Sequence, residues 1–358
     1  MARYRAAIIG AGRPGERRGG SYGIAYAHGW AYNAVQAVEV VAAADIDPEN
    51  LRLFCDEIGV PSRYADYREM LAREKPDLVS VCTWPQLHAE MTVEAANAGA
   101  KGILCEKPMA LTMVDMDRML AACDANGTRL SIDHQRRLGE PFRLAKEIAK
   151  SGEIGELYRV EGYVAGSNLY DWGPHWTDML FFMVDEAPAA WVAASIDTRT
   201  EVINWGMRVE DQAIVHVHFS VGVHGILMFG QPIANQPPFR LVGTEGCVEC
   251  LPSSPKDPSQ PNVRARVKGR ADWLYPEDPA RRETIHARAN YTRAVEDLVG
   301  AIDEGREPEL SGRRGRAATE LLIAAYESAL RHGRVHLPLP PEHDYSPLDL
   351  LMSTAQPR

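Results

Sequence analysis

The chain has 358 residues, 45% apolar, 25% charged and 8% aromatic, which suits about two globular domains and excludes a disordered, collagenous or coiled-coil protein. Lys and Arg number 39 against 49 Asp and Glu, a net charge of −10, so the field of the molecule repels polyanions and excludes nucleic acid as a partner. No apolar run approaches the ~20 residues of a membrane span and residues 1–20 lack the apolar stretch of a secretory signal, so the chain reads as cytoplasmic, with no membrane partner.

In chain order, near-continuous apolar runs cover residues 4–10, 39–45, 77–83, 102–106 and 129–133, with helical stretches such as 87–99 and 113–127 that end in glycine. Strands buried on both faces of a parallel sheet look like this, so residues 1–133 are predicted to form a doubly wound α/β domain of Rossmann type. Beyond residue 133 the strands lengthen and alternate. Residues 157–165, 191–198 and 212–219, the last facing 224–229, predict a largely antiparallel sheet and a second, α+β domain over 134–338. Residues 251–261 are too rich in proline to ladder and read as an excursion loop. Amphipathic helices are expected at 285–304 and 315–332, and the proline-rich residues 339–358 as an extended arm.

The six cysteines imply no disulfide framework. Cys247 and Cys250 form C-x-x-C without a second ligand pair and read as strand residues. His216 and His218 share one strand face, with His224 nearby, but have no carboxylate or thiol at ligand spacing, so no metal site is expected.

Gly10-Ala11-Gly12 directly follows the first strand, where glycines permit the tight turn and close backbone approach that a pyrophosphate at a helix N-terminus needs. Taking Gly23 as the third glycine places Asp45 22 residues on, near the expected spacing, and makes 13–21 an insertion in the phosphate loop. The Asp45 carboxylate suits ribose hydroxyls and repels a 2′-phosphate, favouring NAD over NADP unless Arg17 and Arg18 of the inserted loop fold back onto a phosphate. Thr83-Trp84-Pro85-Gln86-Leu87-His88 closes the third predicted strand and Cys105-Glu106-Lys107-Pro108 the fourth. Both segments therefore border the same crevice as the glycine turn, which makes Thr83, His88, Glu106 and Lys107 cofactor-binding candidates.

These segments resemble the T-P-x-x-x-H and E-K-P signatures of the Gfo/Idh/MocA oxidoreductases, the group of glucose-fructose oxidoreductase and inositol dehydrogenase. The resemblance continues through Arg136-Arg137, Asp171-x-Gly173-x-His175-x-x-Asp178, Val209-Glu210-Asp211 and the closing segment 328–338. Two departures stand out: the phosphate loop is expanded, and Trp84-Pro85 shifts the proline by one.

The resemblance implies that Lys107 polarises a substrate oxygen, Asp171 binds an adjacent hydroxyl and His175 is the acid/base. Pro174 suits the first turn of a helix, which would put His175 at an N-terminus whose dipole disfavours imidazolium. By the same analogy His88 lies near the nicotinamide, the other reading being a helix-start histidine bonded to backbone. Arg137, Asn168, Tyr170 and Trp172 combine aromatic and hydrogen-bonding groups, which suits a sugar or polyol.

Three activities fit: an NAD-dependent dehydrogenase acting on a secondary hydroxyl, a redox-neutral glycosidase or epimerase with retained NAD, and a non-catalytic dinucleotide-binding regulator. The presence of Lys107, Asp171 and His175 together weighs against the last. The family's second-domain sheet commonly packs on another subunit, and alternating strands leave an apolar face needing cover, so a homodimer or homotetramer is expected.

Overall fold

The computed structural model describes residues 4–13, 22–230, 236–252, 260–278 and 282–354. Most of the inserted loop, with Arg17 and Arg18, and residues 253–259 of the proline-rich loop lie outside the described residues. The chain forms two compact units, Met1–Gln135 with Arg288–Arg316, and Arg136–Ala287 with Ala317–Arg358.

The first unit contains β1 (Tyr4–Ile9), α1 (Ile24–Ala34), β2 (Val38–Ala44), α2 (Pro48–Ile58), β3 (Ser62–Tyr64), α3 (Tyr67–Glu74), β4 (Leu78–Val81), α4 (Pro85–Asn97), β5 (Gly102–Cys105), α5 (Met113–Asn126) and β6 (Arg129–Ile132). All strand pairs are parallel, in the order β3-β2-β1-β4-β5-β6. Strand order reverses between β1 and β4, so ligands of such sheets lie beyond the carboxyl ends there. Local chemistry sets the helix ends. Asp47 caps α2 by accepting from the Glu49 and Asn50 amides, Thr112 caps α5 through the Asp115 amide, and Gly59 and Gly127 close the two helices in the left-handed region. The short polar strand β3, Ser-Arg-Tyr, carries no apolar run by which to recognise it.

The helix Ala289–Glu304, expected in the second domain, belongs to this unit. Its Val295, Leu298 and Val299 enter one core with Ala25, Tyr26 and Ile58. Gly102 permits the approach: a Cβ there would lie 2.8 Å from Ile302 Cδ1. A parallel sheet needs a layer on each face, and a chain segment far away in sequence supplies part of one.

The second unit holds α6 (Glu140–Lys150), β7 (Leu157–Ala165), α7 (Leu169–Met183), β8 (Ala189–Asp197), the hairpin β9 (Val202–Asn204) and β10 (Met207–Val209), β11 (Gln212–Phe219), β12 (His224–Gly230), β13 (Phe239–Gly243), β14 (Cys247–Cys250) and β15 (Val263–Arg266). The helix described above, α8, precedes α9 (Gly312–Arg331), β16 (Val335–His336) and α10 (Pro347–Thr354). The sheet runs β15-β14-β13-β7-β12-β11-β8-β16, antiparallel except for the β7–β12 pair. The expected extended arm instead contains α10, which begins at Pro347, a residue that suits the first helical turn.

One face of this sheet is apolar and covered by helices. Trp176 of α7 stacks on Phe239 at 5.2 Å between centroids, and Phe142 of α6 meets both edge-on. The opposite face mixes apolar and polar side chains. It carries Glu161 between Arg159 and Arg240, and Glu249 between Arg240 and Arg264. Further along, His216, His218 and His224 cluster with Trp191. Strand alternation puts the fully buried apolar side chains on the helix-covered face and leaves the other mixed, with Ile214 half exposed and Ile226 and Met228 partly buried beside the charged and histidine clusters. Cys247 and Cys250, three apart in β14, fall on opposite faces, where Cys250 faces α6 and Cys247 meets Arg240.

Candidate active site

Within the first unit, the carboxyl ends of β1, β2, β4 and β5 bring the cofactor candidates to one edge. Gly10 has φ +89°, and a Cβ there would lie 2.8 Å from Thr83 Cγ2 and 3.0 Å from the Cys82 carbonyl, so only glycine fits. Gly12 has φ +64°, and Gly23, the N-cap of α1, sits so close to Arg13 that a Cβ would meet its backbone nitrogen at 3.1 Å. The helix thus starts where the glycine spacing predicts. Asp45 braces this turn: one carboxylate oxygen accepts from the Ala11 amide (2.7 Å) and the Gly12 amide (3.3 Å), the other from Asp47 (2.8 Å).

His88 of α4 is fully buried, with Nδ1 2.9 Å from the Pro108 carbonyl and Nε2 3.2 Å from the Thr83 carbonyl. Burial holds its pKa below the ordinary value despite these two acceptors, so the neutral ring donates from one nitrogen only. This is the backbone-bonded arrangement. The buried ring therefore donates to one of these carbonyls while lying against both, which places the Glu106-Lys107-Pro108 segment beside Thr83, and Thr83 abuts Gly10.

Glu106 lies under this segment. One carboxylate oxygen accepts from the Lys107 amide (3.2 Å) and the other faces Nε2 of His28 (3.1 Å), which also lies 3.2 Å from Asp133. Sequence reasoning gave no role to His28 or Asp133. A signal existed: β5 and β6 are adjacent parallel strands, each followed at once by an acid, so two buried carboxylates stand side by side and require a cation. Nothing in the apolar pattern of α1 marks His28 as that cation.

The second unit corrects several expectations. Helix α7 begins at Leu169, not at Pro174, so Pro174 lies inside the helix and His175 in its second turn. The dipole argument for a neutral His175 therefore fails, since that field fades beyond the first turn. Asp171, not His175, occupies the first turn. Asn168, a substrate-binding candidate, is the N-cap, accepting from the Asp171 amide at 2.8 Å.

Arg137, another candidate, is buried as a structural cation. Its Nε donates to Asp178 at 2.9 Å, a second bond goes to the other Asp178 oxygen, and Nη1 donates to Glu186 at 2.7 Å. Tyr170 is buried, with its hydroxyl 3.4 Å from Met207 Sδ and its ring edge-on to Trp205. Trp172 packs under the Arg136 guanidinium at 4.5 Å, near His286 and His175 at centroid distances of 5.5 and 6.4 Å.

Glu210 received no assignment beyond its motif. Fully buried, it accepts from the Leu169 amide (2.5 Å), the Tyr170 amide (3.3 Å) and the Tyr326 hydroxyl (2.8 Å). It therefore anchors the first turn of the helix that carries Asp171 and His175. Burial outweighs these bonds and pushes its pKa up to about 7.

A Rossmann unit with a glycine turn and a strand-end acid, followed by a unit built on a large mixed sheet, defines a class of nucleotide-dependent oxidoreductases. Two family models match, one described as "Oxidoreductase family, NAD-binding Rossmann fold" over residues 4–134 and one as "GFO/IDH/MocA C-terminal domain" over residues 161–249. The chain belongs to the Gfo/Idh/MocA family of oxidoreductases.

Among its relatives is a D-apiose dehydrogenase of Rhizobium rhizogenes, 24% identical over 351 residues, covering 92% of this chain and 96% of that protein. An inositol 2-dehydrogenase of Salmonella typhimurium is 30% identical over 166 residues, 43% of this chain and 49% of that protein. The fold is shared with an oxidoreductase of Agrobacterium radiobacter solved with NAD+, L-tartaric acid and magnesium (TM-score 0.77, 21% identity, 94% of this chain and 98% of that one). It is also shared with the aldose-aldose oxidoreductase of Caulobacter crescentus (TM-score 0.76, 23% identity, 94% and 100%). Among the described residues no helix is long and apolar enough to cross a membrane.

Proposed function

We propose that the protein is an NAD-dependent dehydrogenase that oxidises a secondary hydroxyl of a sugar or polyol, with Lys107, Asp171 and His175 as its catalytic residues. The observation that carries this reading is the linkage at the strand ends of the first unit. Gly10 abuts Thr83, and the buried His88 ring lies between the Thr83 and Pro108 carbonyls, so the segment presenting Lys107 is packed close to the glycine turn. The names of the relatives, D-apiose and inositol dehydrogenases, support the substrate class.

The backbone at Gly10, Gly12 and Gly23, with no room for a side chain at the first and last, fits a pyrophosphate, and Asp45 beside it fits ribose hydroxyls. That carboxylate repels a 2′-phosphate, which supports NAD over NADP. When bound, the nicotinamide supplies the hydride acceptor. The chain must then manage charge and one proton. The Lys107 ammonium favours the developing alkoxide, Asp171 accepts from a neighbouring hydroxyl and orients the sugar, and His175 takes the hydroxyl proton.

The test is NADH absorbance with a panel of D-apiose, myo-inositol, aldoses and simple glycosides. Lys107→Ala and His175→Ala are expected to lower kcat by about 10²–10⁴-fold on the best substrate. Unchanged turnover in either variant refutes that residue's role, and no NADH from any panel member refutes the substrate class.

A further inference from the structure

The cluster under the Glu106-Lys107 segment has a composition that simple core packing does not require. His28, from the helix that leaves the glycine turn, is fully buried. Its Nε2 lies 3.1 Å from Glu106 Oε1 and 3.2 Å from Asp133 Oδ2, and its Nδ1 lies 2.9 Å from Ser80 Oγ. The Ser80 hydroxyl donates to the Tyr32 hydroxyl at 2.8 Å, so toward His28 its oxygen accepts. Both ring nitrogens thus face acceptors, and the ring is an imidazolium. Although burial opposes the charge, the Asp133 and Glu106 carboxylates hold the His28 pKa well above its ordinary value. The ring of Tyr291, 6.1 Å away, packs beside the cluster. One cation therefore serves two carboxylates, and one of those carboxylates also holds the Lys107 amide.

We propose that His28 is a positioning residue for Lys107: by gripping Glu106 it fixes the backbone that presents the lysine and locks that segment to the helix leaving the nucleotide-binding turn. This rests on the catalytic assignment of Lys107 above. The linkage runs through two consecutive contacts, His28 to Glu106 and Glu106 to the Lys107 amide, while Asp133 and Ser80 hold the imidazolium in place. Helix α1 begins at Gly23, whose amide donates to the Arg13 carbonyl at 2.9 Å, so the same rigid body reaches both the glycine turn and the lysine.

Replacing His28 by Gln keeps one donor and removes the charge. In the full-length protein, His28→Gln is expected to lower kcat on the best panel substrate by about 10–100-fold, with the KM for that substrate and the NAD dissociation constant, read by fluorescence titration, changed less than about threefold. Glu106→Gln is expected to do the same, and the double variant to lose no more than the worse single one, because the two act through one contact. Phe54→Leu opens a cavity in the core of the same unit without touching the cluster and should lower Tm while leaving kcat intact. With isotope-labelled histidine, NMR should show His28 still doubly protonated in the wild type where an ordinary histidine has lost its proton, and titrating at lower pH in Glu106→Gln.

If His28→Gln does not fold, Glu106→Asp, which withdraws the carboxylate from the ring, must show the same loss confined to kcat. Unchanged kcat in His28→Gln, or an equal loss in Phe54→Leu, overturns the proposal, as does one equivalent of tightly bound divalent metal, since the two acids would then be ligands. Full turnover by Lys107→Ala is a separate outcome and sinks the functional reading instead.

Discussion

The two units bury charge in opposite ways. In the second, Arg137 meets Asp178 with a two-point guanidinium–carboxylate contact and reaches Glu186 with its remaining edge, so the cation has acids on both sides. In the first, His28 stands between two acids with a single nitrogen, and burial pushes the Asp133 pKa up to about 6 while His28 and its bond draw that of Glu106 down. The first arrangement leaves Glu106 to grip Lys107. The guanidinium gives each of its acids a separate donor and spends itself on the fold, whereas the single His28 nitrogen is shared by two acids, one of which holds the Lys107 amide, and on our proposal it positions chemistry. The contrast implies that the Arg137 pair, when cut, should cost stability, and the His28 cluster turnover.

The largest stability effect is expected at Arg137. Asp178 is almost wholly buried, and Arg137→Ala strands its carboxylate, which costs about 3–5 kcal/mol, read as a fall in urea midpoint. Replacing both partners with apolar residues of similar volume, as in Arg137→Met with Asp178→Leu, should recover most of that loss, because no buried charge is left unpaired and Glu186, partly exposed, can be solvated. Partly active Arg137→Ala protein with unchanged stability would erase the contrast and return Arg137 to the substrate.

Glu210 is the next test, and it is a pH test. The folded state holds its proton to about pH 7, whereas an unfolded glutamate releases it near 4.5. The proton therefore stabilises the fold fully below pH 4.5, and that contribution is lost as pH rises through 7. Glu210→Gln abolishes the titration. The stability of the wild type relative to this variant should fall by about 2–3 kcal/mol between pH 5 and 8, measured by denaturant unfolding at each pH. A constant difference would show that the donors from Leu169, Tyr170 and Tyr326 keep the group ionised throughout.

What the chain discloses before folding divides along the same line. Gly10, Gly12 and Asp45 were legible because their task is set by backbone: a positive φ, a close approach and the end of a strand. Strand β7 was legible at both ends from its alternation. The internal partners of Arg137 and Asn168 were not legible, because a polar residue near a motif carries no mark of whether it meets substrate or a buried partner.

The start of α7 was misplaced for a related reason. Pro174 suits a first turn, but Asn168 followed by an acid at Asp171 is the stronger start signal and sets the helix start. His28 had no such signal, since its partners arrive from strands far along the chain. The placement of α8 in the first unit is non-local in the same way.

The smallest effect separates a cap from a ligand contact at Asn168. Its oxygen accepts from the Asp171 amide, so Asn168→Ala frees one amide of the first turn and should cost about 1 kcal/mol. Serine at this position caps nearly as well, so Asn168→Ser is expected to restore the wild-type Tm. The substrate reading predicts otherwise, because serine lacks the amide and its reach. If kcat/KM stays within about twofold in Asn168→Ser while Tm recovers, the side chain acts on the helix that carries Asp171. A kcat/KM that falls more than tenfold at full stability would place the amide on the sugar and show that the second unit, too, turns a structural position toward substrate.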